Sequence, residues 1–362
     1  MPSSAVLTFT DPYAFQTAVR GSSVEVVVTG RGDYSAELTR IDFHRLLLKG
    51  GSQSLAYIAH IVMDKGLSAI FFPTGTRQAP FHLSGLEVSP GDIVFGGSGA
   101  ERYHRAEAGC HWGSISLSPD DLSEAGRALV GRDLPASSVA HLIRPRPELV
   151  SRLLNLHKAG AELAATVPDL LAHPKVAKAM EQALMRAMIT CIADPAAGER
   201  GSSDRQCTVV MRRFEQVLQA NMDQPLFVGD ICAQLGVPDR TLRAQCHEHL
   251  GMSPHRYLWL RRMHMARRAL ASADATAKGV TEIALDYGFW ELGRFAVAYR
   301  KLFGEMPSVT LRRSPDDRVI SGELISEFPV VQRKARAVSA MSRSRRERSD
   351  GNGFGPAASG HM

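Results

Sequence analysis

Two helical segments in the C-terminal third of the chain carry basic residues at a spacing suited to binding nucleic acid. In the first segment, a rotation of about 100° per residue places Leu242 and Cys246 on an inward face. The residues that then project outward, with the threonine at the edge, are Arg240, Thr241, Arg243, Ala244 and His247. Arginine can donate two hydrogen bonds to guanine, and a methyl group can contact thymine. We expect this face to contact base edges.

The second segment has the same arrangement but fewer hydrogen-bonding groups. With Phe295 and Tyr299 inward, the outward residues are Gly293, Ala296, Val297 and Arg300, flanked by Arg294 and Lys301. We expect Arg294 to contact a base, and Arg300 and Lys301 to contact phosphates. The alternative is that these arginines and this lysine are simply solvated.

Each segment belongs to an internal repeat with an offset of 52 residues. The two copies begin with Asp230–Gly236 ("DICAQLG") and Thr281–Gly288 ("TEIALDYG"). A terminal glycine tolerates the positive φ that ends a helix. The small residues Cys232 and Ala284, four positions before the glycines, let two helices cross closely. The pattern predicts a helix-turn-helix unit formed twice. We expect Cys232 and Cys246 to lie in the core, and Trp290 to pack rather than to contact bases.

A helix from Ser253 to Ser272 connects the two units. Ser253 is a good N-cap, and the apolar stripe consists of Leu260, Met263, Ala266 and Leu270. Arg261 and Arg268 are expected elsewhere on the helix. Its length of roughly 30 Å is close to the roughly 34 Å between major-groove turns on one face of DNA. The alternative is a plain helical bundle with a basic surface.

Charge is unevenly distributed along the chain. Residues 1–204 carry 19 basic and 21 acidic side chains, whereas residues 205–315 carry 16 basic and 10 acidic ones. The basic excess therefore lies with the repeat, which favours a nucleic-acid partner. No apolar run approaches the roughly 18 residues that cross a bilayer, so we expect a cytoplasmic protein with no membrane partner. Five cysteines without C-x-x-C spacing are expected to be reduced thiols.

The preceding part of the chain predicts a separate α+β domain. Short segments rich in β-branched and aromatic residues reach about residue 117, which is typical of an antiparallel barrel or sandwich. Helical spacing follows over 120–192. The segment 193–205 ("ADPAAGERGSSDR") is expected to be a flexible linker, and 316–362 a disordered tail.

The C-terminal motifs resemble a known family. From Cys207 to Arg313, "GVPDRTLRAQCHEHLGMSPHRYLWLRRMHMARRAL" and "VTEIALDYGFWELGRFAVAYRKLFGEMPS" resemble the DNA-binding domain of AraC/XylS-type transcription regulators. The departures are Pro238 in place of a serine, Val297 in place of a common arginine, and "SVTLRR" after Pro307. The resemblance implies an all-α double helix-turn-helix domain over 206–315 that binds promoter DNA in consecutive major grooves.

The same resemblance carries further expectations. It implies an activator rather than a repressor, with RNA polymerase as a partner, a small-molecule effector, and a homodimer as a further option. The "VSPGDIV" turn makes residues 1–192 resemble a cupin-like effector or dimerisation domain. Arg40 and His44 are candidates for lining its barrel.

Catalysis and metal binding have weaker support. His247 and His249 form the one H-x-H pair, but residues two apart on a helix diverge by about 200° and cannot chelate one ion. His60, His82, His104 and His111 are scattered among the strands, and no phosphate-binding or nucleophile motif occurs. We therefore expect no enzyme activity, metal or cofactor. Two alternatives stay open: a cupin-type metalloenzyme fused to a DNA-binding module, and a non-enzymatic interaction module.

Overall fold

A computed structural model describes residues 2–97, 99–134, 140–194, 199–202, 205–221 and 226–313. All of these residues belong to one compact unit. The expected tail, 316–362, lies outside the described residues. No helix in the described ranges is long and apolar enough to cross a bilayer.

The strands are β1 (Ser3–Phe9), β2 (Ser22–Val28), β3 (Ala36–Asp42), β4 (Leu46–Gln53), β5 (Tyr57–Met63), β6 (Ser68–Pro73), β7 (Phe81–Leu83), β8 (Leu86–Val88), β9 (Ile93–Gly96), β10 (Glu101–Ala106), β11 (Cys110–Leu117), β12 (His141–Ile143) and β13 (Glu199–Ser202). The helices are α1 (Pro12–Ala18), α2 (Pro119–Val130), α3 (Pro147–Thr166), α4 (Pro168–Ala172), α5 (Pro174–Ile192), α6 (Arg205–Ala220), α7 (Val228–Leu235), α8 (Asp239–Leu250), α9 (Pro254–Ser272), α10 (Val280–Asp286), α11 (Leu292–Phe303) and α12 (Pro307–Arg312).

The strands form two antiparallel sheets. The large sheet has the order β1-β3-β4-β11-β6-β9-β12-β13, and the small sheet has the order β2-β5-β10-β7-β8. Apolar side chains from both sheets share one core between them. The α+β prediction is confirmed. Because the described strands do not close either sheet by hydrogen bonds, the N-terminal part is a sandwich rather than a closed barrel.

Side chains of the small sheet alternate between two buried faces, as the period of a β-strand requires. The register pairs Glu25 with His60, and His60 with Tyr103, so these three residues share the outer face. The inner face looks into the sandwich. It carries Val24, Val26, Ala59, Ile61, Arg102 and His104.

The C-terminal helices pack around α9. Its predicted apolar stripe is buried, and Ser253 caps the helix by accepting a hydrogen bond from the Arg256 amide at 3.3 Å. Arg261 lies off this stripe, as expected, but it is only 4% exposed because it faces Glu25 of the small sheet. The core of these helices continues into the small sheet through Val27, Ile58 and Tyr103.

Two expectations about the middle of the chain need correction. Residues 120–192 are not purely helical, since β12 pairs with β9 in the large sheet. The expected flexible linker contains β13, whose backbone pairs with β12. Backbone hydrogen bonding to an existing sheet edge, which composition alone does not reveal, orders these four residues.

Buried histidines make stability depend on pH. Burial lowers the pKa of His264 to about 4; Arg267 and Arg268 add to that effect, while the hydrogen bond from Nε2 to the Val28 carbonyl oxygen, at 2.9 Å, opposes it. Below its ordinary pKa of 6.5, the unfolded chain binds a proton that the folded chain does not accept until about pH 4. The contribution of neutral His264 to the free energy of unfolding is therefore complete above pH 6.5 and is lost as the pH falls toward 4.

We predict that His264→Gln reduces the loss of unfolding free energy between pH 7.5 and pH 5 by about 2 kcal/mol. Glutamine keeps a donor near the Nε2 position but does not titrate. Urea unfolding at several pH values measures the effect, and His111→Gln, at an exposed histidine, is the matched control. An unchanged pH dependence in His264→Gln would contradict the assignment.

Candidate nucleic-acid interface

The two helix-turn-helix units end their first helices in the same way. After α7, Gly236 has φ +67°, and the Val237 amide donates to the Cys232 carbonyl at 3.2 Å. After α10, Gly288 has φ +73°, and the Phe289 amide donates to the Ala284 carbonyl at 2.9 Å. Both turns are Schellman motifs, in which the amide after the glycine donates to the carbonyl five positions earlier. The predicted repeat is confirmed at the level of backbone hydrogen bonds.

The first exposed face lies on α8. Leu242 and Cys246 are fully buried, so the opposite side of the helix faces solvent. Exposed residues there are Arg240, Arg243, Ala244 and His247, and Thr241 is half-buried at the edge. The expected facing is confirmed, and contact with DNA stays a prediction.

The guanidinium of Arg243 is already paired with a neighbouring carboxylate. Its guanidinium forms an i,i+4 ion pair with Asp239 at 2.9 Å, and both side chains are about half exposed. Such a pair is worth about 0–1 kcal/mol, so a nucleic acid can displace it at little cost.

The second exposed face lies on α11, above buried Phe295 and Tyr299. Gly293, Arg294, Val297, Arg300 and Lys301 are exposed, and Ala296 is half-buried. Arg294 forms a 2.9 Å ion pair with Glu291 at the exposed start of the helix.

Two apolar side chains stand out beside this face. Trp290 is 72% exposed and Val297 is 69% exposed. The expectation that Trp290 packs against the protein is therefore wrong, because the turn directs its ring to solvent. Cys232 is half-buried rather than in the core, whereas Cys246 is fully buried as expected.

A buried charge cluster holds these helices against the outer face of the small sheet. Arg261 of α9 donates through Nε and Nη2 to the two carboxylate oxygens of Glu25, both at 2.9 Å. Its Nη2 also lies 3.2 Å from Oε1 of Glu215 on α6. Tyr103 of β10 donates from its hydroxyl to Oε2 of Glu215 at 2.8 Å. Burial alone would lower the pKa of Arg261, but Glu215 and Glu25 more than offset this, so the net pKa is raised.

A cavity inside the sandwich brings together Lys49, Arg102 and His104. Neither Lys49 nor Arg102 was predicted as a site residue. Lys49 follows three leucines in β4, which was a usable signal, whereas Arg102 lies among polar residues in β10. Arg40 faces the same way as Lys49, its partner in the register, but does not line the cavity. His44 is exposed in the turn between β3 and β4.

The histidines within the described ranges do not converge on a metal site. His247 is exposed while His249 is buried, as expected for residues two apart on a helix. Within the part of the chain that the structure describes, no three His, Cys, Asp or Glu residues are placed to hold a metal ion.

Comparisons with known proteins agree with the geometry of the C-terminal helices. Residues 231–313 match the family described as "Helix-turn-helix domain". The chain is 35% identical over 149 residues to a probable thc operon regulatory protein of Rhodococcus erythropolis, covering 41% of this chain and 45% of that protein. It is 38% identical over 101 residues to the XylDLEGF operon transcriptional activator 3 of Pseudomonas putida, covering 28% and 30% respectively. The chain thus spans less than half the length of these relatives.

Among solved structures, the AraC-like transcriptional activator CuxR aligns with 79% of this chain and all of its own. The sequence identity is 16% and the TM-score is 0.39. A Chromobacterium violaceum regulator with an AraC-type DNA-binding domain aligns with 30% of this chain at 26% identity and a TM-score of 0.27.

We predict that removing the buried cation of the charge cluster costs far more unfolding free energy than removing an exposed one. Arg261→Met leaves Glu25 and Glu215 without their cation, which should cost about 3–5 kcal/mol of unfolding free energy. Arg127→Met, which removes an exposed pair with Asp133, should cost less than about 1 kcal/mol. Urea unfolding measures both. Similar small losses would show that the cluster does not stabilise the fold.

Proposed function

We propose, from the AraC/XylS-type DNA-binding domain that this chain carries, that the whole protein is a sequence-specific regulator of transcription. The observation that carries the proposal is the pair of exposed faces on α8 and α11, joined by the long helix α9. At about 1.5 Å per residue, 19 residues span about 28 Å, comparable with the spacing of successive major grooves. Each recognition helix would occupy one of them.

The two faces differ in what they offer to DNA. On α8, Arg240 and Arg243 can each donate two hydrogen bonds to guanine, and Ala244 can contact a thymine methyl. On α11, Arg300 and Lys301 are suited to phosphates, while Arg294 lies nearer the helix start, where a base can be reached. We assign base reading chiefly to α8.

We also propose a role, partners and a location for this regulator. We assign an activator role, with RNA polymerase as a partner, since several relatives are named transcriptional activators. The N-terminal sandwich would receive an effector or pair subunits. Such a protein would act where the chromosome is, in the cytoplasm, and we assign it no enzyme activity.

We predict that Arg240→Ala and Arg243→Ala each cost about 1–3 kcal/mol of discrimination between cognate and scrambled duplexes. Arg300→Ala and Lys301→Ala should weaken both duplexes alike and reduce the slope of log affinity against log salt by about one each. Lys158→Ala, at an exposed lysine of α3, is the control. Fluorescence anisotropy at several salt concentrations, with a duplex enriched from a random pool, measures the set.

One result would contradict the assignment of base reading to α8. If Arg240→Ala and Arg243→Ala weaken cognate and scrambled duplexes equally, α8 contacts phosphates and base reading lies elsewhere.

We further propose that the DNA-binding part, 206–315, folds without the sandwich. Both Arg261 and Glu215 lie within it, so the buried guanidinium keeps one carboxylate when Glu25 is removed. A fragment from Asp204 to Pro315 should be helical by circular dichroism and should bind the enriched duplex, with a lower unfolding temperature than the full chain. An unfolded fragment would show that the small sheet is required and that this boundary is wrong.

A further inference from the structure

The two most exposed large apolar side chains among the described residues both lie near the start of α11. Trp290, in the turn before the helix, is 72% exposed, and Val297, in its second turn, is 69% exposed. Single exposed apolar residues are common on protein surfaces, whereas a group of them marks an interaction site. These two lie on the part of α11 that faces solvent, beside its basic residues, so they belong to the candidate interface.

The fold makes little use of the indole of Trp290. Its neighbour Phe289 fills the core position after the glycine turn, with 9% exposure and its ring 4.9 Å from that of Phe295. The guanidinium of Arg262 lies over the same Phe289 ring at 5.4 Å. Among the described residues, no hydrogen bond, ion pair or ring contact involves Trp290. Phe289 therefore anchors the turn, and most of the indole surface is available to a partner.

Gly293 leaves open space between these two side chains in the sequence. It is the second residue of α11 and does not have a positive φ, so the backbone conformation does not require glycine. Apart from its chain neighbours and the helix backbone, a Cβ atom at this position would have no atom within 4 Å. Packing therefore does not require glycine either. Because glycine destabilises a helix relative to alanine, the position gives up stability without any gain inside the protein.

The charge of α11 limits the kind of partner. The helix carries Arg294, Arg300 and Lys301 and no aspartate or glutamate. All three cations are exposed, and Arg294 also forms the exposed pair with Glu291. A partner must therefore offer negative charge around a small apolar group. The major groove of DNA meets both requirements, since phosphates flank the base edges and thymine presents its 5-methyl group there.

We propose that Trp290, Gly293 and Val297, here called the apolar notch, hold the 5-methyl group of a thymine in the major groove that α11 enters. Gly293 and Val297 are four residues apart and so lie on one side of the helix, with Trp290 in the turn just before it. This contact rests on the proposed function and deepens it. With it, α11 reads one A·T pair without a hydrogen bond, while hydrogen-bonded base reading stays chiefly with α8.

The apolar notch also discriminates against cytosine. In the major groove, thymine offers a methyl group beside its carbonyl, whereas cytosine offers an amino donor. An indole and a valine side chain have no acceptor for that donor, and a buried donor without a partner is unfavourable. The apolar notch therefore favours thymine through both the methyl contact and the absence of an acceptor.

Binding is tested on the full chain by fluorescence anisotropy with a duplex enriched from a random pool. Each thymine of that duplex is replaced in turn by deoxyuridine, which lacks only the methyl group. We expect at least one replacement to weaken wild-type binding about fourfold, as the loss of one buried methyl group implies.

Variants of α11 and the preceding turn assign that methyl group to the apolar notch. Trp290→Ala and Val297→Ala should each bind the thymine and deoxyuridine duplexes almost equally. Gly293→Ala places a methyl group where the thymine methyl would lie, so it should bind the thymine duplex no better than the deoxyuridine duplex. Val167→Ala, at an exposed valine between α3 and α4, is the matched control and should keep the wild-type difference.

Folding of the variants is controlled by thermal unfolding. The three substituted positions are exposed, so Trp290→Ala and Val297→Ala should unfold near the wild-type temperature. Gly293→Ala should unfold at the same temperature or higher, because alanine is the better helix former. A loss of thymine preference in Gly293→Ala is then a loss of fit to DNA and not of structure.

Two results would overturn the assignment and leave the proposed function standing. If no deoxyuridine replacement weakens wild-type binding, α11 holds no thymine methyl group. If the methyl dependence persists in Trp290→Ala, Val297→Ala and Gly293→Ala, the methyl group is read elsewhere, and the exposed apolar side chains serve a different partner. A chain that enriches no duplex from the pool would overturn both this assignment and the proposed function.

Discussion

The packing of the described C-terminal helices on the small sheet depends on how one buried guanidinium is paired. Arg261 lies in the middle of the long helix between the two helix-turn-helix units, where a charge without a carboxylate would be severely destabilising. One carboxylate, Glu215, comes from the neighbouring α6, and the other, Glu25, comes from the small sheet. The pairing therefore fixes the orientation of the helices relative to that sheet as well as their mutual packing.

The small sheet can serve two sites because a strand has two faces. Its outer face supplies Glu25 and Tyr103 to the charge cluster, while its inner face supplies Arg102 and His104 to the cavity. Since both faces are buried, a shift of the backbone has to be accommodated on both sides. In the function proposed above, an effector bound in the sandwich would act on the helix-turn-helix units through this sheet.

Local patterns predicted the local features well. The helical period placed Arg240, Arg243 and Arg300 on exposed faces, and the glycines predicted both turns, because these depend on residues only a few positions apart. The burial of Arg261 was not predicted because its partner Glu25 is 236 residues away in the sequence. Trp290 was misplaced because a turn residue can point either way.

The cavity was harder to predict. Arg102 and Tyr103 are adjacent in sequence but face different sites, and nothing in a single strand shows that both of its faces are buried. The pairing of β13 with β12 was missed for a similar reason, since its glycine and serine residues also suit a linker.

The most direct test of the central claim, that two recognition helices occupy consecutive major grooves, is dimethyl sulfate protection of guanine N7 on the enriched duplex. We expect two protected patches on one face of the DNA, centred about 10 base pairs apart. Guanines of the second groove that stay unprotected would mean that only one of the two units enters a major groove, and would contradict the claim.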